Sequence, residues 1–178
     1  MLPILHFGRK RDGRIKEVIK PETLNKRLRI LVISQYFHPE NLRINDLVFS
    51  LSERGHYIEV LTGKPNYPKG EYFDGYSWKS SKKEIVKGII THRVNIILRK
   101  QGGGIRLFAN YISFVFFGFI KLLQLKVKFD KIFIYVPSPI TVGILGIVAA
   151  KKFKAKSYLW VHDLWPESVK VAGGINSK

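Results

Sequence analysis

Short runs of apolar residues alternate with stretches of helical periodicity along most of the chain. Four runs are continuous enough to predict buried strands, at residues 28–33, 57–62, 131–136 and 157–161. After the first run, apolar residues recur at i, i+3, i+4 and i+7 from Ile44 to Leu51, which predicts an amphipathic helix. Asn41 is the predicted N-cap of this helix, and Gly55 its left-handed terminator.

Two shorter strands are predicted at 84–86 and 89–97, about a turn at Lys87 and Gly88. Further helices are predicted at 105–125 and 141–153. Strands that alternate with helices and are almost wholly apolar predict a Rossmann-like α/β fold, a doubly wound parallel sheet covered on both faces. The length of 178 residues suits one such domain.

Polar and aromatic segments follow the four buried strands, at residues 34–40, 63–68, 137–139 and 162–168. Ligands of open parallel sheets bind outside the carboxyl ends of the strands. Because parallel strands end at one edge, we expect these four segments to meet there and to form one wall of a cleft.

The composition narrows the chemistry of this cleft. The chain has no cysteine, which excludes disulfides, thiol nucleophiles and cysteine-bound metals. It also lacks a dinucleotide-binding glycine motif, a Walker sequence and a nucleophile elbow, and its histidines show no metal-ligand spacing. The 31 Lys and Arg against 13 Asp and Glu give a net charge of +18. This excess indicates a polyanionic partner or a surface that tolerates lysine, and no motif for nucleic-acid recognition is present.

The long helix predicted at 105–125 is unusually apolar. Its few polar residues fall on one narrow stripe: Arg106, Asn110, Ser113, Lys121, Gln124 and, beyond it, Lys128. The uncharged part is too short to span a bilayer comfortably. The helix therefore lies either in a membrane interface or in the protein core.

His162 and Asp163 stand directly after the last predicted strand and are the residues best suited to acid–base chemistry. The alternative is that Asp163 caps the following turn and His162 only packs. Arg43 suits bidentate binding of phosphate or carboxylate, although it and Glu40 also suit a solvated helix start. Tyr36, Tyr67 and Trp165 suit stacking on sugar rings or packing beneath the loops.

Three separated segments carry a resemblance that covers about residues 27–171. They read RILVISQYFHPENLRINDLVFSLSERGHYIEVLTGKPNYPKGEYFDGY, YVPSPITVGI and LWVHDLWPESV. In this order they resemble the N-terminal domain of family-four retaining glycosyltransferases, particularly the bacterial amino-sugar transferases of O-antigen and capsule synthesis. The resemblance implies one half of a GT-B enzyme, whose N-terminal domain holds the acceptor.

The resemblance also implies site residues. Asp163 and, as the weaker candidate, His162 are the expected catalytic residues. The expected acceptor-binding residues are Gln35, Glu40, Arg43, Asn45, Asn66, Tyr67, Ser138, Glu167 and Ser168. No metal and no bound cofactor are implied, since the nucleotide-sugar is a co-substrate held mainly by a C-terminal domain.

The resemblance further implies a lipid-linked sugar acceptor and a place on the cytoplasmic membrane surface. Residues 1–26 are expected to form a basic N-terminal extension, 27–171 the acceptor-side domain and 172–178 the start of a linker. The donor domain is thus expected to be missing from this chain and to be supplied, if at all, by another chain. A non-catalytic remnant that binds membrane or a partner is the alternative.

Overall fold

The computed structural model describes residues 26–137 and 140–162. In this part, six strands and three helices follow one another in the order β1 (Arg29–Ser34), α1 (Arg43–Glu53), β2 (Tyr57–Gly63), β3 (Lys83–Val86), β4 (Ile89–Val94), α2 (Gly104–Gln124), β5 (Lys131–Val136), α3 (Val142–Phe153) and β6 (Lys156–Val161). Every predicted element is present, and most bounds agree within one or two residues. The fourth strand is the exception, because it ends three residues before the predicted 97.

The six strands form one sheet in the order β3-β4-β2-β1-β5-β6. All neighbouring strands are parallel except β3, which pairs antiparallel with β4 through the tight turn at Lys87 and Gly88. The five parallel strands follow the order of a doubly wound sheet. From β1, the chain adds strands first on one side (β2, β4) and then on the other (β5, β6), so the strand order reverses between β1 and β5. The predicted Rossmann-like α/β fold is confirmed.

Two apolar cores lie on opposite faces of the sheet. In β1, Leu31 and Ile33 face the core beneath α2 and α3, while Ile30 and Val32 face the core beneath α1. Successive side chains of a strand point to opposite faces, so a strand that is buried on both sides must be apolar at nearly every position. This requirement is why the strand sequences read as unbroken apolar runs.

The structure confirms the predicted carboxyl end of α1 but not its predicted N-cap. Gly55 follows the helix with a φ of +84°, the left-handed conformation that glycine adopts without a Cβ penalty. The predicted N-cap at Asn41 is wrong, because Leu42 occupies that position and makes no side-chain cap bond. The amide of Asn45 instead bonds backbone groups of the preceding loop, so the polar contacts at this helix start come from inside the first turn.

Helix α2 buries part of its polar stripe and leaves part of its apolar surface exposed. Asn110 and Ser113, two members of its polar stripe, are buried and hydrogen-bonded, whereas Ile105 and Phe108 are 87% and 65% exposed. Among the described residues, α2 is the one helix long and apolar enough to cross a membrane by length and composition, and 28% of its most apolar window is buried. Phe114 and Leu122 are fully buried in the core, so α2 is a core helix on one side and exposes an apolar stripe on the other. Contact of that stripe with a membrane interface stays a prediction.

Candidate functional site

The carboxyl ends of β1, β2, β4, β5 and β6 lie at one edge of the sheet, because these strands are parallel. A cavity of about 600 Å³ opens at this edge. It lies where the strand order reverses, since residues that follow β1 and residues of β5 and its end both line it. Its described lining residues are Tyr36, Asn41, Leu42, Arg43, Tyr67, Arg99, Tyr111, Tyr135, Pro137 and His162.

Glu40 holds the first two loops of this edge together. Its side chain is 1% exposed, and its two oxygens accept hydrogen bonds from the backbone N–H groups of Phe37 (3.1 Å), Asn66 (2.9 Å) and Tyr67 (2.7 Å). Burial raises the pKa of Glu40 to about 7, against the opposing effects of these three N–H donors and of the Arg93 charge. A buried carboxylate thus fixes the loop after β2 to the loop after β1.

Three other predicted acceptor-binding residues lie beneath the cavity surface. Gln35 donates to the side-chain oxygen of Asn110 at 2.7 Å, which joins the end of β1 to α2. Asn45 accepts from the His38 backbone N–H and donates to the Glu40 carbonyl. Asn66 is 2% exposed and donates to the Lys64 carbonyl. The hydrogen bonds of all three residues hold loops in position. Their contact with an acceptor stays a prediction.

Two buried cations complete this framework, and sequence reasoning missed both. Arg93 on β4 is 0% exposed; it binds the Glu84 carboxylate at 2.7 Å and donates to the carbonyls of Gly63 and His38. Lys64 is also fully buried, and its ammonium donates to three carbonyl oxygens within residues 77–80. The loops at this edge are therefore held by charged side chains bonded to backbone, in addition to apolar packing.

The predicted residues that reach the cavity surface are Tyr36, Arg43, Tyr67 and His162. Arg43 is the first residue of α1, while His162 directly follows β6 and donates its backbone N–H to Val136. The Tyr67 ring is 42% exposed and lies 5.1 Å from the ring of Tyr36, so the two tyrosines form one aromatic wall. Burial raises the pKa of Tyr36, which keeps its phenol neutral.

The cavity has further walls that the sequence interpretation did not include. Arg99 follows β4, and its guanidinium donates to the Pro68 carbonyl at 2.9 Å. Tyr111 lies on α2, one helical turn from the exposed Phe108. Both residues were missed because the parallel pairing of β4 with β2 was not predicted. This pairing brings the end of β4, and the residues that follow it, to the same edge of the sheet.

Five of the predicted residues lie outside the described residues: Ser138, Asp163, Trp165, Glu167 and Ser168. Their roles stay predictions.

The described lining of the cavity is aromatic and cationic. It includes four tyrosines, two arginines and one histidine, and no carboxylate is among the lining residues that the structure describes. Within the same described part of the chain, no three His, Asp or Glu side chains are grouped so as to hold a metal ion. Such a surface can stack on sugar rings and bind anionic oxygens.

No protein-family model matches this chain, and no curated protein sequence matches it either. Among solved structures, the catalytic domain of starch synthase IV from Arabidopsis thaliana, bound to ADP and acarbose, is similar with a TM-score of 0.50 and 17% identity. The match covers 78% of this chain and 34% of that one. The C-terminal domain of a hydrogenase from Pyrococcus furiosus has a TM-score of 0.48 and 15% identity, over 75% of this chain and 92% of that one.

The starch synthase likeness concerns the fold. Together with the sheet order, it supports a Rossmann-like α/β fold for this domain. The chain spans about a third of the length of the starch synthase chain that it matches.

Proposed function

We propose that this chain is the acceptor-side domain of a retaining glycosyltransferase that transfers a sugar from a nucleotide-sugar to a lipid-linked acceptor in bacterial surface polysaccharide synthesis. The observation that carries the proposal is the position of the cavity. It lies at the reversal point of a GT-B-type sheet, and tyrosines that suit sugar rings line it. The sequence resemblance to family-four enzymes points to the same site.

In this proposal, His162 and Asp163 supply the acid–base or hydroxyl-orienting groups. The nucleotide-sugar is bound mainly by a second domain that faces the cavity, on the same polypeptide or on another chain. No metal and no resident cofactor take part.

Binding of a short-chain acceptor tests the proposal directly. The probe is farnesyl-diphosphate-linked N-acetylglucosamine, titrated into the full chain by calorimetry. Tyr67→Ala removes an exposed ring of the aromatic wall, and we expect affinity to fall about 10-fold, the loss of one stacking and apolar contact. The matched control is Tyr158→Ala, since Tyr158 on β6 is similarly exposed, at 48%, but does not line the cavity. Equal effects of the two variants would contradict the proposal.

The second part of the proposal concerns a membrane surface. The outer side of α2 carries apolar residues three or four positions apart, so they form one stripe. Helix α3, which packs against α2, also carries exposed isoleucines. We call this the apolar helix face: Ile105, Phe108, Ile112, Phe116, Phe119 and Leu123 on α2, and Ile144 and Ile147 on α3. Contiguous exposed apolar surface of this kind is typical of interaction sites.

Charge supports an anionic bilayer as the occupant of this face. Lysines stand at the carboxyl ends of both helices, among them Lys121 and Lys151. Trp78, an interfacial residue type, is 47% exposed and packs edge-on against Phe117 of α2. With a net charge of +18, the protein suits the inner face of the cell membrane, where a lipid-linked acceptor is anchored.

Vesicle co-sedimentation tests the apolar helix face. We expect the full chain to bind phosphatidylglycerol vesicles more strongly than phosphatidylcholine vesicles, and the double variant Ile105→Ser with Phe116→Ser to bind about 10-fold less. Ile85→Ser is the control, because Ile85 is 73% exposed on the edge strand β3 and does not belong to the apolar helix face. A second copy of the chain on this face would instead give vesicle-independent dimers by light scattering.

A non-catalytic membrane-binding protein is the second candidate function, and the extent of the apolar helix face favours it. It predicts vesicle binding together with failure to bind the acceptor probe or to support sugar transfer when a donor-binding domain is added. Transfer by the combined domains, lowered by about 10²-fold or more in Asp163→Asn, would decide for the enzyme.

A further inference from the structure

A second cavity, of about 90 Å³, lies beside the carboxyl-terminal half of α2, and we call it the small cavity. Its described lining residues are Lys82, Arg93, Val94, Asn95, Phe117, Ile120, Lys121 and Gln124, none of which lines the larger cavity. Strands β3 and β4 stand at one end of the sheet and β6 stands at the other. The small cavity is therefore separate from the cleft and from the predicted site residues that follow β6.

Several polar side chains of the small cavity have no hydrogen-bond partner in the described part of the chain. They are Lys82, Asn95, Lys121 and Gln124. Asn95, directly after β4, is only 6% exposed, and buried side-chain amides are almost always hydrogen-bonded in native proteins. Arg93 also lines the cavity, but its guanidinium is bonded to Glu84 and to backbone carbonyls. The lining thus holds a buried amide whose partner the described residues do not supply.

Positive charge is concentrated around the small cavity. Lys82 directly precedes β3, and Lys121 lies in the last turn of α2. Burial, together with the charges of Lys83 and Lys82, holds the pKa of Lys121 below its usual value, against the attraction of Glu59. The oxygens of Glu59 are already hydrogen-bonded within the sheet. The lysines therefore repel one another, and an anion between them relieves that repulsion.

We propose that the small cavity is a binding site for one phosphate group, either free or part of a phospholipid headgroup. Two ammonium groups and two side-chain amides supply its hydrogen-bond donors: Lys82, Lys121, Asn95 and Gln124. The Asn95 amide can turn its NH₂ group toward the anion, because no described residue bonds either of its polar atoms. Pockets for larger ligands measure roughly 300 Å³ or more, so the volume suits a single phosphate group. The inference does not rest on the proposed function, since the site lies outside the cleft.

The rim of the small cavity is compatible with both sources of the phosphate. Ile120 is partly exposed, and the exposed Trp78 packs against Phe117, so apolar surface adjoins the polar lining. The acyl chains of a phospholipid can lie on this surface while the headgroup enters the cavity. A free phosphate ion needs the polar lining alone.

Calorimetry with inorganic phosphate tests the site on the full chain at pH 7 and about 150 mM salt, where general attraction to a basic protein is largely screened. We expect Lys82→Gln and Lys121→Gln each to weaken phosphate binding by about 10-fold, through loss of charge-assisted hydrogen bonds. The matched controls are Lys79→Gln and Lys126→Gln, because both lysines are exposed and neither lines the cavity. Each control should change the affinity by less than about 2-fold. Equal losses in site and control variants overturn the site.

Asn95→Asp separates loss of the site from loss of the fold. The new carboxylate has nearly the same shape as the amide, and it repels phosphate while the neighbouring lysines neutralise it. We expect phosphate binding to be lost and the thermal midpoint to stay at or above that of the wild type. Undiminished phosphate binding in Asn95→Asp overturns the site. If this variant lowers the midpoint, the exposed change Lys82→Gln carries the result.

Vesicle co-sedimentation distinguishes the two sources of the phosphate. Phosphatidylglycerol vesicles are mixed with the wild type, Lys82→Gln and Lys79→Gln. Weaker vesicle binding in Lys82→Gln alone supports the site and assigns it to a lipid headgroup. Equal vesicle binding in all three proteins, with phosphate affinity lowered in Lys82→Gln, supports the site and assigns it to free phosphate. Absence of phosphate binding by the wild type, together with equal vesicle binding, overturns the site and leaves Asn95 to an ordered water.

Discussion

Glu40→Gln tests whether the buried carboxylate holds the loops of the cavity in place. In the protein, one carboxylate oxygen accepts from Asn66 and Tyr67 and the other from Phe37. At pH 5, below its pKa of about 7, Glu40 is protonated, and its hydroxyl oxygen can still accept from the Phe37 N–H. Glutamine can keep the bonds from Asn66 and Tyr67, but its NH₂ group then faces the Phe37 N–H, and two donors oppose each other. A buried polar group left without a partner costs about 1–3 kcal/mol. We expect a loss of this size in the free energy of unfolding at pH 5.

The pH dependence of this loss follows from the raised pKa of Glu40. Its folded value of about 7 exceeds the ordinary value of 4.5, so the folded state binds more protons than the unfolded state between these limits. The contribution is fully present below pH 4.5 and is lost as the pH rises through about 7. The shift corresponds to about 3 kcal/mol. Because glutamine does not titrate, the advantage of the wild type over Glu40→Gln should shrink by about this amount across the window.

Urea unfolding followed by tryptophan fluorescence, at half-unit steps from pH 4.5 to 8, measures both curves. Other groups that titrate in this range are common to both proteins and cancel in the difference. Glu53→Gln, an exposed change at the end of α1, should give a curve parallel to the wild type. Parallel curves for Glu40→Gln as well would refute the assignment of the pH effect to Glu40.

Two further substitutions probe the framework and the helix packing. Lys64→Met removes the donor of three carbonyl bonds and should lower the free energy of unfolding by about 3 kcal/mol, whereas the exposed Lys69→Met should change it by less than about 0.5 kcal/mol. Gly118→Val should cost about 1–3 kcal/mol, because a Cβ there would lie 2.6 Å from Leu145 Cδ1. Gly143→Val, where a Cβ meets open space, is the control for that change in a thermal unfolding series.

The strands of the sheet could be predicted from the sequence, because strands buried on both faces are continuous apolar runs. The segment Lys131–Val136 was predicted with its observed bounds for this reason. The meeting of the strand ends at one edge also followed, since it depends only on parallel pairing. The Asn41 cap failed because the residues that bond the start of α1 come from a loop whose path depends on tertiary contacts.

The buried charged residues could not be predicted from the sequence. Arg93 and Lys64 look like surface cations in a chain with 31 Lys and Arg, and only the folded loops supply the carbonyl oxygens that bind them. The side of α2 that faces the core could not be predicted from the sequence either. Periodicity defines a polar stripe, but it does not show that Asn110 and Ser113 bond the backbone of Ile97, in the segment after β4, and so direct part of the apolar surface outward.

The cavity is built in two tiers, and this has a consequence for how its specificity can change. The inner tier, with Glu40 and Arg93, carries the loop conformation, while the outer tier, with Arg43, Tyr67 and Arg99, meets the solvent. Exchange of an outer side chain leaves the inner bonds intact, so the recognised molecule can be altered without rebuilding the scaffold. A library randomised at the three outer positions should therefore retain a high fraction of folded members, and the same library at inner positions should not.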